Sequence, residues 1–230
     1  MIFASKAIRL GRAGLAALLL AVAAAPVGAQ QIAPFDEAAK DPALVEFRAA
    51  LLAKVKARDA AGIVPLLAPD VTLSYAEELK PSDFPRHMRK NPNMWRELQR
   101  VLETGGGFAG RKDEFFAPYP YAFFVECPTK DEQACAAPGG AHSAAVVLGR
   151  NVPLRARPDP NSPALGKLSH ELVGIVDFQR TKTGAWLKVM TRAKLLGYLP
   201  ADATFQEYGF RAGFKKVGGK WMLADFVVGD

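Results

Sequence analysis

Residues Val146 to about Phe205 combine short strand patterns with tight turns, and this stretch constrains the fold more than any other. Within Leu148–Ala156 the aliphatic residues lie at even positions, whereas Asn151 and Arg155 lie at odd positions. This alternation predicts a strand with one face in a core and the other in water. The turn cluster Pro158–Pro163 follows, with too many prolines for a helix or a central strand. The stretch therefore predicts a small, closed β-barrel.

The segment Leu172–Phe178 differs from the other predicted strands, because apolar residues occupy both of its faces. Val173 and Ile175 share one face, and the other carries Leu172, Val176 and Phe178. Apolar residues on both faces are typical of a strand that is covered on both sides. We therefore expect the barrel to pack against the rest of the protein.

The same stretch resembles the bacterial Src-homology-3-like (SH3-like, SH3b-type) family over residues 146–205. The matching positions, in the family's order, are Val152, Leu154, Arg155 and Pro158, then Pro163, Gly166 and Leu168, then Trp186, Lys188 and Val189, and finally Gly197, Tyr198 and Leu199. The resemblance implies a five- or six-stranded barrel that often holds exported proteins against cell-wall peptide or glycan. An alanine separates Gly184 from Trp186, and the acidic, aromatic-rich loop of polyproline binders is absent, so polyproline recognition is not expected.

Trp186 is the main ligand-binding candidate of this segment. Leu187 and Val189 share one face of their strand, which places Trp186 and Lys188 on the other. An outward Trp186 beside Lys188, Tyr198 and Arg155 would form a shallow aromatic cleft. The alternative is that Trp186 covers a barrel edge or seals the interface between domains.

The N-terminal half predicts helices and a strand. Asp41-Pro42 is a strong helix start, since Asp caps a helix and Pro favours its first position. A helix carrying Leu44, Phe47, Leu51 and Val55 on one face, a short helix after Asp59, a strand at Val71–Tyr75 and a helix from Asn93 to Gly105 are predicted in turn. The order of elements over residues 41–75 resembles the opening of the nuclear-transport-factor-like (SnoaL-like) cone fold. That resemblance implies a pocket, which in the family hosts enzymes and non-catalytic domains.

The C-terminal segment predicts a β-hairpin, because two strand patterns flank Gly218-Gly219. Its end, Gly219–Phe226, resembles the last strand of the same cone fold. We therefore expect residues 206–230 to complete an α+β domain of residues 41–145, after a linker at 30–40, with the barrel inserted. The predicted fold class is α+β: an N-terminal helical α+β domain, a small SH3-like β-barrel and a C-terminal β-hairpin.

Residues 1–29 have the pattern of an export signal. Lys6, Arg9 and Arg12 precede an apolar run, and small residues end at Ala29. The apolar run is shorter than the about 20 residues that span a membrane, so we expect cleavage, no remaining membrane span, and a periplasmic or extracellular location. Cleavage would leave 27 Lys and Arg against 23 Asp and Glu, a net charge of +4, and no basic run typical of nucleic-acid binding.

In an exported chain, the two cysteines predict a disulfide between Cys127 and Cys135. The aromatic segment Phe115–Phe124 has two interpretations, a core-filling segment or a platform on which a ligand stacks. We favour the core, because large apolar residues are usually buried.

No catalytic residue, metal site or cofactor is predicted. His87, His142 and His170 are scattered, and Asp70, Glu77, Glu78 and Asp83 are possible residues of a pocket mouth beside His87. The favoured function is an exported, non-enzymatic binding or scaffolding protein whose barrel contacts cell-wall peptide or glycan, or an envelope protein. Two alternatives stay open: a small-molecule or enzymatic pocket in the N-terminal domain, and a structural module without a ligand.

Overall fold

Helices and mostly antiparallel strands make this an α+β protein. The computed structural model describes residues 30–126 and 135–229; the predicted signal, residues 1–29, lies outside them. The helices are α1 (Pro42–Lys56), α2 (Ala60–Ile63), α3 (Phe84–Lys90), α4 (Met94–Glu103) and α5 (Tyr119–Glu126). The strands are β1 (Leu67–Thr72), β2 (Glu114–Ala117), β3 (Ser143–Val147), β4 (Val152–Arg155), β5 (Ala164–Leu168), β6 (Leu172–Thr181), β7 (Gly184–Met190), β8 (Leu196–Pro200), β9 (Thr204–Gln206), β10 (Arg211–Val217) and β11 (Lys220–Val227).

Helix α1 begins where the sequence predicts. The Asp41 carboxylate accepts hydrogen bonds from the backbone N–H groups of Ala43 and Leu44 at 3.0 and 3.3 Å, which satisfies two donors that the first helical turn leaves open. The buried face of α1 carries Leu44, Leu51 and Val55. No helix within the described residues is long and apolar enough to cross a membrane.

A four-stranded sheet of order β1-β11-β10-β2 supports these helices. Its centre is the hairpin of β10 and β11, and both glycines of the turn at 218–219 have positive φ, as the sequence predicts. Strand β11 pairs in parallel with β1, and β10 pairs with β2. The predicted strand Val71–Tyr75 is displaced, since β1 ends at Thr72 and Tyr75 lies beyond it, exposed. One face of the sheet packs on α1 and α4 to form the largest apolar core.

A second sheet contains seven strands in the order β5-β4-β8-β7-β6-β3-β9. It begins at Ser143, before the predicted Val146, and has more strands than the five or six that the family resemblance implies. Buried residues from six of these strands, β3 to β8, meet in one apolar cluster. A single sheet can bring one face together in this way only when it is strongly curled.

Strand β6 is covered on both sides only in its first part. Leu172 and Val173 are buried, with Leu172 in a cluster that includes Tyr119 of α5. Val176 and Phe178 are 49% and 48% exposed, so the expectation that they are covered is wrong. The reason is geometric: β3 pairs only with residues 172–175, the ladder to β7 is irregular between Ile175 and Asp177, and β6 then extends beyond β3.

The aromatic segment at residues 115–124 fills cores, as predicted. Phe115 lies in the large core beside Phe214, and Tyr119 lies in the cluster between α5 and the start of β6. Phe123 and Phe124 pack on that same cluster. The predicted Cys127–Cys135 disulfide involves Cys127, which is outside the described residues, so this bond stays a prediction.

Candidate ligand-binding surface

Three of the four predicted contact residues form one row across the curled sheet. Arg155 on β4 is the cross-strand neighbour of Tyr198 on β8, and Tyr198 is that of Lys188 on β7. Their adjacent residues Leu154, Leu187 and Leu199 are buried inside the curl. Because successive residues of a strand point to opposite faces, Arg155, Tyr198 and Lys188, called here the cation–tyrosine row, lie on the outer face.

Both ends of this row have defined surroundings. The Arg155 guanidinium donates a hydrogen bond to the backbone oxygen of Ser162 at 2.7 Å, which ties the row to the proline-rich turn. Asp177 on β6 is the cross-strand neighbour of Lys188. Hydrogen bonds from the Gln179 side chain and the Phe178 N–H, together with the Lys188 charge, lower the pKa of Asp177.

Trp186 is less accessible than the three residues of this row, which are half-buried. It lies on the outer face two residues before Lys188, as the alternation predicts, but only 3% of its surface is exposed, so it is not the exposed wall of a shallow cleft. Its indole N–H donates to Thr183 Oγ1 at 3.3 Å. The indole lines a recess of about 700 Å³ with Pro160 and Pro200 of the curled sheet and its turns and with Arg96 and Arg100 of α4. Trp186 therefore lies between the curled sheet and α4, which is where the alternative interpretation, a tryptophan that seals an interface, would place it.

A second cavity, called here the seam cavity, lies between α4, β6 and the segment Thr204–Phe210, and has a volume of about 490 Å³. Its aromatic residues are Phe178, Phe205, Tyr208 and Phe210. It adjoins the recess at Trp186, because Glu97, Arg100, Ala185 and Asp202 line both. Sequence reasoning missed these residues, since the fold joins segments about 100 residues apart and no local spacing marks them.

Arg100 fixes α4 against the edge of the curled sheet. Its Nη2 donates to the backbone oxygens of Asp202 at 3.0 Å and Thr204 at 2.9 Å. Its Nη1 lies 4.0 Å from a carboxylate oxygen of Glu97, which also pairs with Arg96 at 2.9 Å. These hydrogen bonds join α4, which packs on the four-stranded sheet, to the segment that leads into β9 of the curled sheet, and they hold one wall of the seam cavity.

The other face of the four-stranded sheet holds a mostly buried carboxyl group, that of Asp225. Its cross-strand neighbour is Gly213, where a Cβ would stand 2.1 Å from Asp225 Oδ2, so glycine leaves the room that the carboxyl fills. Oδ1 is shielded from solvent and has no hydrogen-bond partner among the described residues. Burial raises the pKa of Asp225 to about 6, against the opposing effects of the Gly213 N–H and the Arg211 charge.

Arg211, also buried, connects three segments near Asp225. Its guanidinium donates to the Tyr75 hydroxyl at 3.2 Å and to the backbone oxygens of Gly209 and Gly229 at 3.3 and 2.7 Å. These bonds hold the C-terminal end and the connection to the curled sheet.

The possible pocket-mouth residues of the N-terminal half have other partners. Asp70 pairs with Lys215 at 2.6 Å and Asp83 with Arg86 at 2.8 Å, while Glu77 and Glu78 are exposed. His87 is half-buried, and burial lowers its pKa. Within residues 30–126 and 135–229, no group of three His, Cys, Asp or Glu side chains is placed to hold a metal ion.

No protein-family model, curated protein or solved structure matches this chain.

Proposed function

We propose that this is an exported, non-enzymatic binding protein whose SH3-like barrel contacts cell-wall peptide or glycan, or an envelope protein. The observation that carries the proposal is the cation–tyrosine row, in which Tyr198 has one cation on each side, Arg155 and Lys188. Neighbouring residues on adjacent strands lie about 5 Å apart. A ligand that has an apolar or ring surface together with carboxylate groups can therefore contact all three side chains at once.

The order of the strands supports the SH3-like part of this proposal. Strands β6, β7 and β8 form a consecutive antiparallel meander, a short 3-10 turn at Ala201–Ala203 follows, and β9 then pairs with β3. The edges of this sheet are β5 and β9, and its barrel-like character rests on the shared apolar core of β3 to β8. The hairpin's pairing with β1 and β2 supports the proposed insertion of the barrel in an α+β domain.

The test is sedimentation of the chain from residue 30 onward with isolated cell-wall sacculi. We expect Lys188→Gln and Tyr198→Ala to reduce the bound fraction, because each removes one contact of the row. Lys182→Gln is the matched control, since it removes an exposed lysine in the turn between β6 and β7. Arg155 is left intact because its hydrogen bond to Ser162 also supports the turn.

The two partner classes are separated by a second arm, capture of proteins from a detergent extract of the envelope. Retention on sacculi that Lys188→Gln weakens supports cell-wall material, whereas capture of one envelope protein that Lys188→Gln weakens supports a protein partner. Absence of both, or equal binding by Lys188→Gln and Lys182→Gln, would overturn the proposal.

A further inference from the structure

The seam cavity has the size and lining of a small-ligand site. Its volume of about 490 Å³ is within the range of about 300–1,000 Å³ that such sites occupy. Three of its lining side chains, Phe178, Tyr208 and Val228, are 48%, 43% and 49% exposed. They come from β6, from the connection after β9 and from the C-terminal end, so exposed apolar surface from three segments converges here. Such clustering marks binding sites, whereas scattered exposed apolar residues do not.

Phe178 and Arg180 face this cavity together. They are two residues apart on β6 and therefore share one face of the strand, and both line the cavity, as does Ala185, the cross-strand neighbour of Arg180. Within the described part of the chain, Arg180 forms no hydrogen bond or ion pair through its side chain. The cavity thus has an aromatic wall with an available cation beside it.

The remaining charges of the lining are distributed unequally. Arg100 is already engaged by two backbone oxygens and by Glu97, and Glu97 by Arg96 as well. Asp202 is exposed, and its carboxylate, like the Arg180 guanidinium, forms no ion pair within the described residues. One cation and one carboxylate are therefore left to pair with a ligand.

From this arrangement we infer that the seam cavity binds a short apolar peptide with both ends free, its side chains on the aromatic wall, its carboxylate at Arg180 and its ammonium group at Asp202. None of the cation–tyrosine row lines this cavity, so the inference concerns a second site that is independent of the proposed function. Apolar contacts provide most of the affinity, and the two charges set the direction in which the peptide lies.

The test uses the dipeptide Leu-Phe as the probe, with isothermal titration calorimetry on the chain from residue 30 onward. N-acetyl-Leu-Phe lacks the ammonium group, and Leu-Phe amide lacks the carboxylate. Partly exposed ion pairs are worth about 0.2–1 kcal/mol, so we expect each blocked peptide to bind up to about fivefold more weakly. Phe178→Ala should weaken the binding of all three peptides by the same factor, because it removes part of the aromatic wall.

The charged partners are assigned by crossing variants with peptides. In Arg180→Gln, Leu-Phe and Leu-Phe amide should bind equally, while acetylation still weakens binding. In Asp202→Asn, the acetylated and free peptides should bind equally, while amidation still weakens binding. Val176→Ala and Lys182→Gln are the matched controls, because both residues are exposed near the same strand but do not line the cavity.

Each outcome decides the inference. Crossed loss of discrimination in Arg180→Gln and Asp202→Asn supports it. No binding of Leu-Phe to the unaltered protein, equal binding of the three peptides, or binding unchanged by Phe178→Ala would overturn it. Retention on sacculi is expected to be the same in Phe178→Ala and in the unaltered protein, so failure here and failure of the cation–tyrosine row are distinguishable.

Discussion

Substitution of Asp225 by asparagine tests the electrostatics of the four-stranded sheet. The Asp225 carboxyl is mostly buried against Gly213, and Asn has nearly the same shape but does not titrate. In the native protein the carboxyl keeps its proton up to about pH 6, whereas in the unfolded chain it releases the proton near its ordinary pKa of 3.8. The native state therefore binds the proton more tightly.

The magnitude follows from this difference in pKa. Each pH unit corresponds to 1.36 kcal/mol, so the interval between 3.8 and about 6 corresponds to about 3 kcal/mol. The contribution of Asp225 to the free energy of unfolding is fully present below pH 3.8 and falls as pH rises to about 6. Of the charges near the carboxyl, Arg211 and Lys215 lower the pKa of Asp225 and Glu114 raises it.

The assay is urea denaturation of the unaltered protein and of Asp225→Asn between about pH 4 and pH 7. The free energy of unfolding of the variant minus that of the unaltered protein cancels most other titrating groups. We expect this difference to rise by roughly 2–2.5 kcal/mol over this range, because part of the full change occurs below pH 4, and to level off above about pH 6.

Asp70→Asn is the control on the same sheet. The hydrogen bond from Lys215 lowers the pKa of Asp70, so its contribution is present above pH 3.8 and is lost as pH falls through the lower folded value. We expect a flat difference for Asp70→Asn over the range in which Asp225→Asn changes. Parallel pH curves for the unaltered protein and Asp225→Asn would refute the argument that burial raises the pKa of Asp225.

Two further predictions concern stability. Trp186→Ala should lower the free energy of unfolding by roughly 3–5 kcal/mol in urea denaturation, because it removes a buried indole; a loss below about 1 kcal/mol would mean that the indole is exposed after all. Replacement of both Cys127 and Cys135 by serine should lower the free energy of unfolding by roughly 2–3 kcal/mol, and thiol titration of the denatured, unreduced protein should find no free thiol; two titrating thiols would contradict the disulfide.

Features that depend on neighbouring residues were predictable from the sequence. The Asp41 cap and the turn at Gly218-Gly219 are set by the conformations that these residue types favour locally. The alternation along β4 likewise identifies Leu154 as an inward residue and Arg155 as an outward one, because a strand has a period of two.

Exposure was not predictable in the same way. The alternation along β7 assigns Trp186 to the outer face, but whether that face is open depends on Pro160 and on α4, which come from other parts of the chain. The same holds for Phe178, whose exposure depends on where β3 stops pairing with β6. The seam cavity joins residues 97, 178 and 208, and only the fold brings such distant positions together.

The parallel pairing of β1 with β11 has a consequence for the order in which the chain folds. Leu67 is the register partner of Leu223, so β1 acquires this neighbour only after the last strand has been made. The meander β6-β7-β8, by contrast, pairs segments that follow one another directly, and local contacts form fastest. We therefore expect the meander to form before the four-stranded sheet closes. Loss of the final ten residues would remove most of β11, the strand that joins β1 to β10, and so open the sheet that covers the apolar face of α1 and α4.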